Sequence, residues 1–375
     1  MSKQPCHVVH LLYRFAAGGL ENVLVQLVNG LPRERFRHTI VALTEADASF
    51  ASRIQRSDVE IISLHKQPGQ PFRLYPKMYR LLRQLRPDVL HTCNIAALEF
   101  MPVAALAGVP RRIHAEHGWD IADPDGSNRR YRLLRRIYKP FVHAWIAVST
   151  QLHNYLHTAI DVPSGRLHLI ANGVDTTRFR PRHDAEPIPH DFPFTRPGHY
   201  VIGSVGRLEP IKNPLLLVEA FIRLAALPEH ASVRLAIVGD GPLRDQILLR
   251  MQQAGFADRL WLPGSRADIA EILRNFDCFV LPSLAEGTSC TLQEAMASGL
   301  TILATDVGGN AVLLEQGRLG QLVPSADVAA MQLALSSLCS ATETGVKGLQ
   351  ARELVVRQYG LDTMLQRYAH LFSGV

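Results

Sequence analysis

The sequence predicts an α/β protein of two doubly wound parallel-sheet domains facing each other across a cleft, and three observations predict it. Short β-type runs alternate with stretches of helical length and periodicity along the whole chain. The 375 residues, 47% hydrophobic and 20% charged, exceed what one domain of about 100–200 residues holds. Near the middle, Pro187, Pro189, Pro193 and Pro197 lead up to Gly198. Proline donates no ladder hydrogen bond and disfavours helix before it, so this stretch reads as a linker. The expected division is 1–190, 191–355, and a last helical segment, 356–375, crossing back to the first domain.

In chain order, strands are expected at Val8–Tyr13, Thr39–Leu43, Glu60–Leu64, Val89–Cys93, Ile113–Glu116, Trp145–Val148 and Leu167–Ala171 in the first half. In the second they are expected at Val201–Val205, Leu235–Val238, Leu260–Leu262, Cys278–Leu281, Thr301–Ala304 and Gln321–Val323. Helices are expected at Pro214–Ala226, Pro242–Ala254 and Leu292–Ser298, and Gly348–Phe372 carries two helical patterns broken at Gly360. Such alternation places helices on both faces of parallel sheets.

No apolar run approaches the roughly 18–20 residues that span a bilayer, and the start shows no signal-peptide pattern. Cys6, Cys93, Cys278, Cys290 and Cys339 are odd in number and never form a C-x-x-C pair. That argues against a disulfide framework or a zinc site, so a cytoplasmic protein with buried thiols is expected.

The net charge of +6 is uneven: residues 1–190 hold 25 Lys and Arg against 16 Asp and Glu, and residues 191–375 hold 15 against 18. The basic excess is densest from Arg129 to Lys139, where Arg129, Arg130, Arg132, Arg135, Arg136 and Lys139 alternate with Tyr131, Leu133, Leu134, Ile137 and Tyr138. At helical spacing this is an amphipathic basic segment, and two readings stand open. It docks on an anionic membrane surface, or it is a solvated helix with its apolar side on the core. Nucleic acid is not an expected partner, because no recognised nucleic-acid motif accompanies the charge.

Four stretches carry candidate chemistry. Gly18-Gly19 follows the first strand and precedes a helix near Glu21-Asn22, where a phosphate or sugar could approach backbone N–H groups; a tight turn is the plainer reading. A G-x-G-x-x-G fingerprint is absent. Arg207 and Lys212 bracket a turn after the first strand of the second half, with Asn213 expected as N-cap and Pro214 at the first helical position. Two cations there suit a diphosphate. Glu286-Gly287-Thr288-Ser289-Cys290-Thr291 leads to Glu294 across a loop and a helix start. Both carboxylates could accept from paired hydroxyls of a ribose or sugar, with N–H groups near Ser289 to Thr291 for phosphates. The competing reading is a capping box, Thr291 with Glu294. Finally, His114 and His117 sit at the end of a strand, followed by Asp120, Asp123 and Asp125, which read as loop or cap residues. A metal is the rival idea for the histidines, but no third ligand is evident nearby in sequence.

Taken in order, these stretches resemble glycosyltransferase family 4, the retaining family of GT-B fold. The resemblance also covers Leu20-Glu21, Val148-Ser149, Ala171-Asn172-Gly173-Val174-Asp175 with Phe179, Lys212-Asn213, Val238-Gly239-Asp240-Gly241-Pro242 and Gly308-Gly309. Within it, the chain is closer still to the sugar transferases of exosortase exopolysaccharide clusters. The resemblance implies that a sugar moves from a nucleotide-diphosphate donor to a polysaccharide or lipid-linked acceptor with retention, without cofactor or metal. It implies that Arg207 and Lys212 hold the donor diphosphate, that Glu294 binds the ribose, and that Glu286 binds the transferred sugar. Gly287, Thr288, Ser289, Cys290 and Thr291 would run along the donor, Gly18 and Gly19 would lie near the diphosphate, and His117 would contact the sugar. Val312 stands where the family often has glutamate, and Glu315 is out of register to replace it. A sugar-nucleotide epimerase of the same fold and a non-catalytic nucleotide- or glycan-binding module are the alternatives.

Overall fold

A computed structural model describes residues 4–374 except 68, 70, 121, 122, 124, 125, 184, 185, 187, 195–197 and 341–344. Pro187 and Pro197 of the expected linker, and Asp125, therefore lie outside the described residues.

The chain forms two compact units, one of residues 1–173 with 361–375 and one of residues 174–360. The first contains β1 (Cys6–Leu12), β2 (Phe36–Ala42), β3 (Glu60–Ser63), β4 (Val89–Cys93), β5 (Arg111–Glu116), β6 (Ala144–Ala147) and β7 (Leu167–Leu169). They form one sheet in the order β3-β2-β1-β4-β5-β6-β7, parallel throughout. The second contains β8 (Tyr200–Val205), β9 (Val233–Val238), β10 (Leu260–Gly264), β11 (Cys278–Leu281), β12 (Thr301–Thr305) and β13 (Gln321–Val323). Their order is β10-β9-β8-β11-β12-β13, again parallel. In each sheet the order reverses direction once, between β1 and β4 and between β8 and β11. At such a switch point the loops leaving two neighbouring strands part and open a crevice at their carboxyl ends.

The segment expected as a linker belongs largely to the second unit. Val174 bridges Gly360, and Phe179, Phe192 and Phe194 are buried in the second unit's core. Two aromatic anchors within it, Phe192 and Phe194, explain why a proline-rich stretch is held, since each large buried side chain contributes about 1.5–3 kcal/mol. The break at Gly360 separates the helices Gly345–Gln358 and Leu361–Ser373. The second of these packs Met364, Tyr368, Ala369 and Phe372 against Val8, Phe36, Val89 and Ile113 of the first sheet.

That face of the first sheet is unusual in carrying histidines in its core. His10 registers with His91, and Val8 with His38, so all three imidazoles share one face. They are buried, with Phe372 rings 5.9 Å from His10 and 5.6 Å from His91. Of the five cysteines, expected buried, Cys93 and Cys278 are so, whereas Cys6, Cys290 and Cys339 are half-buried.

Candidate active site

In the second unit, the loop after β8 and the loop after β11 meet at the switch point. Lys212 ends the short 3-10 turn Pro210–Lys212, and its Nζ donates to Glu286 Oε1 at 2.7 Å. The Ser283 hydroxyl donates to the same oxygen at 2.6 Å. Glu286 is buried, and a buried carboxylate is tolerable only when paired in this way. The Leu284 N–H donates to the Ile211 carbonyl at 2.8 Å, tying the two loops together. Arg207 is more exposed and pairs with Glu209 at 2.8 Å.

Glycine is required where these loops close up. Gly308 has φ +55°, and a Cβ there would lie 1.7 Å from the Glu286 carbonyl oxygen. At Gly239, φ is +143° and a Cβ would meet the Gly206 carbonyl at 1.9 Å. Both exceed any tolerable approach, so the two turns press directly on the backbone that carries Glu286 and Arg207.

Two expected caps are corrected. The helix after β11 runs Cys290–Ala297, and its N-cap is Ser289, whose Oγ accepts from the Leu292 N–H at 3.3 Å. Thr291 therefore lies inside the first turn and forms no capping box with Glu294, because the helix starts one residue before it. Asn213 does precede the helix Pro214–Ala225, with Pro214 first, but at φ 47° its side chain makes no cap bond. Helix Cys290–Ala297 presents its first N–H groups beside Gly287 to Thr291, a positive end suited to an anion. Gln293 is buried with no partner for its side-chain amide among the described residues, a feature unmarked in the sequence. Val312 is exposed and Glu315 pairs with Arg318, so neither supplies the glutamate that the family resemblance led one to seek.

In the first unit, Gly18 occupies the N-cap position of the helix Gly19–Gly30 with extended backbone and no side-chain cap, and the Glu21 carboxylate folds back so close that a Cβ on Gly18 would lie 2.2 Å from its Oε2. His117 follows β5, and its N–H donates to Asn94 Oδ1 at 2.8 Å. Burial, outweighing the opposing pull of Glu116, pushes the His117 imidazole down to about 4, so it is neutral at pH 7. Both its ring nitrogens are buried without a partner among the described residues. His114 has a different part. It bonds Thr92 Oγ1 at 2.7 Å and Glu116 Oε1 at 3.3 Å on the opposite face of the sheet. There Arg135 Nε donates to Glu116 at 2.6 Å and Nη2 at 3.3 Å.

Arg135 comes from the basic helix Arg129–Tyr138, and it alone of that helix is buried. Leu134 and Tyr138 are half-buried, while Leu133 and Ile137 are 58% and 51% exposed among exposed Arg129, Arg130 and Arg136. The helix thus keeps a solvent face that is both cationic and apolar.

Comparison with known proteins gives two family models, "Glycosyltransferase Family 4" over residues 17–178 and "Glycosyl transferases group 1" over residues 199–341. The chain is 26% identical to UDP-Gal:alpha-D-GlcNAc-diphosphoundecaprenol alpha-1,3-galactosyltransferase of Escherichia coli, covering 97% of this chain and 96% of that protein. It is 29% identical to a GDP-mannose-dependent alpha-mannosyltransferase of Mycobacterium tuberculosis, over 82% and 80%. Among solved structures, a glycosyltransferase from Rickettsia africae matches with TM-score 0.81 at 17% identity over 98% of both chains. HepE of Anabaena with UDP and glucose matches with TM-score 0.77 at 18% identity over 98% and 99%. These likenesses place the fold among GT-B proteins.

Proposed function

Because the chain belongs to glycosyltransferase family 4 and is a glycosyltransferase, we propose that it moves a hexosyl group from a nucleoside-diphosphate sugar to a lipid-linked or polysaccharide glycan, with retention at the anomeric carbon. The observation that carries this reading is the Lys212–Glu286–Ser283 cluster at the carboxyl ends of adjacent β8 and β11. A donor diphosphate draws Lys212, which leaves Glu286, still held by Ser283, to accept from sugar hydroxyls. Arg207 adds a second positive charge, and the N–H groups from Gly287 to Thr291 follow the phosphates. Glu294 takes the ribose. From the first unit, the N–H groups at Gly18 and Gly19 serve the diphosphate, and neutral His117 contacts the transferred sugar.

The bond from the anomeric carbon to the diphosphate oxygen breaks with its electron pair leaving on that oxygen. The acceptor oxygen bonds to the same face of the sugar, and its proton passes to the departing diphosphate. The cost falls mainly on positioning and on the leaving charge, which Arg207 and Lys212 offset without a resident cofactor.

The exposed face of helix Arg129–Tyr138 supports action at the cytoplasmic surface of a membrane, and the name of the Escherichia coli relative gives that protein a diphosphoundecaprenol-linked acceptor. Each Arg near an anionic surface adds about 1 kcal/mol, and Leu133 with Ile137 supplies an apolar edge. Vesicle co-sedimentation tests it: binding to vesicles with 30% anionic lipid, absent with neutral lipid, should vanish on replacing Arg129, Arg130 and Arg136 with Glu.

For the reaction, UDP-galactose, UDP-glucose and GDP-mannose are supplied with lipid-linked acceptors, and nucleoside diphosphate release and product anomer are followed in the presence of EDTA. One donor should be consumed, with an α-linked product from an α-linked donor. Epimerised donor without acceptor, or no thermal stabilisation by any nucleoside diphosphate, would overturn the reading.

A further inference from the structure

We propose that His91, Cys93 and His117 form a three-ligand site for one thiophilic transition-metal ion, of which Zn²⁺ is the representative, at the carboxyl end of the first sheet. Their ligand atoms all lie within 4.8 Å of one another. The Cys93 thiol is 4.0 Å from the His91 ring nitrogens. In a tetrahedral zinc site, bonds of about 2.0–2.3 Å place such atoms roughly 3.5 Å apart, so the Cys93–His91 pair has to close by about half an ångström and the widest pair by at most about 1.3 Å. Imidazole and thiolate together select zinc-like ions over magnesium or calcium.

The sheet register builds the cluster. His91 and Cys93 are two apart on β4 and share a face, and Cys93 registers with Ala115 of β5, which puts His117 just past the strand end beside it. Around it, polar atoms are unusually idle: both ring nitrogens of His117 and the buried Tyr368 hydroxyl have no partner among the described residues. The Tyr368 ring lies 5.7 Å from that of His91. Buried imidazole and phenol groups left idle each cost free energy that a bound ion would recover.

A supporting chain of hydrogen bonds is also present. His91 Nδ1 and His10 Nδ1 are 3.0 Å apart, and His10 Nε2 and His38 Nδ1 are 2.9 Å apart. If His91 donates from Nδ1, His10 donates onward from Nε2, and His91 Nε2 is left with a lone pair for the metal. Such orientation of a ligating histidine by an acceptor on its other nitrogen is the usual supporting arrangement of metal sites. Binding replaces the Cys93 S–H proton by an S–Zn bond and releases that proton to water.

The consequence rests on the functional reading above: with His117 ligated, its ring no longer meets the sugar, so the ion acts as a brake on transfer.

The test uses the purified full chain, stripped of metal by chelator dialysis and titrated with Co²⁺ and Zn²⁺. One equivalent of Co²⁺ should raise a sulfur-to-cobalt charge-transfer band that Zn²⁺ abolishes. Cys93→Ser should remove the band, and His91→Gln and His117→Ala should each weaken Zn²⁺ binding at least about 100-fold, while Cys339→Ser changes nothing. Circular dichroism of each variant establishes that it is folded, and His117→Ala, at the half-buried end of the cluster, serves if Cys93→Ser is not. No charge-transfer band, or one that survives Cys93→Ser, overturns the proposal. A band with no sugar transfer under any condition refutes the functional reading and leaves the metal site standing.

Discussion

Removing one partner of the Glu116–Arg135 pair should cost the first unit more than any other single polar change. Both side chains are 2% exposed, joined by two hydrogen bonds of 2.6 and 3.3 Å, with Asp123 3.9 Å from Arg135 and His114 3.3 Å from Glu116. Glu116→Gln keeps the shape but leaves a buried guanidinium facing a neutral amide. Breaking a buried pair in this way costs about 3–5 kcal/mol, whereas replacing both members with apolar groups of similar volume is often neutral. Removing Arg135 alone would in turn strand the buried Asp123 carboxylate, so the triple variant Glu116→Gln, Asp123→Asn, Arg135→Met, which leaves no buried charge at the cluster, should recover most of the loss. In a Trp261→Phe background only Trp119 and Trp145, both of the first unit, report urea unfolding by fluorescence. With a urea dependence of about 1–3 kcal/mol per molar, the single variant should shift the midpoint down by more than about 1 M. A loss below about 1 kcal/mol in the single variant, or a triple variant no more stable than the single one, would refute the reasoning.

Three further outcomes follow from the same structure. Lys212→Ala should lower kcat/KM by at least about 100-fold, the scale of losing one leaving-group stabiliser, with circular dichroism unchanged; a rate within threefold of the parent would remove Lys212 from the mechanism. Gly308→Ala should destabilise the second unit by about 2 kcal/mol or more, since the left-handed backbone and the Glu286 carbonyl both oppose a Cβ; an unchanged midpoint for Trp261 fluorescence would contradict the close approach. The His38 imidazole is pushed down to about 3, by burial first and then by Arg56. Its stabilising contribution is therefore complete above the unfolded value near 6.5 and is lost as pH falls from 6.5 toward 3, amounting to about 2 kcal/mol by pH 5. Urea midpoints for the parent should drop between pH 7 and 5, and His38→Gln should flatten that slope; equal slopes would exclude His38 as a titrating group.

Much of this was readable from the sequence because parallel sheets announce themselves: strands buried on both faces are short apolar runs, and all thirteen expected runs correspond to strands. That Lys212 and Glu286 stand on loops after β8 and β11 was readable for a related reason, since both follow short apolar runs directly in the sequence. What remained hidden depends on register between strands distant in sequence. His114 and His117 looked like a pair, yet opposite faces of β5 separate them, and the side chains that cluster with His117, His91 and Cys93, come from β4, which nothing near His117 in the sequence marks. The Ser289 cap was hidden by a competing Thr291-x-x-Glu294 pattern two residues further on. Lys212 and Glu286, 74 positions apart, meet only because β8 and β11 are neighbours.

Helix Leu361–Ser373 also sets the order in which the molecule can be made. The ribosome delivers residues 1–173 first, but the core over β1 and β4 includes Tyr368 and Phe372, which emerge only after the whole of 174–360. Until then His10, His38 and His91 lie on a sheet face without its cover. The second unit, contiguous in sequence, meets no such delay and can finish first. Clipping the last turn of that late helix should therefore damage the earliest-made unit, the one carrying His117, and spare the later-made one that holds Lys212 and Glu286.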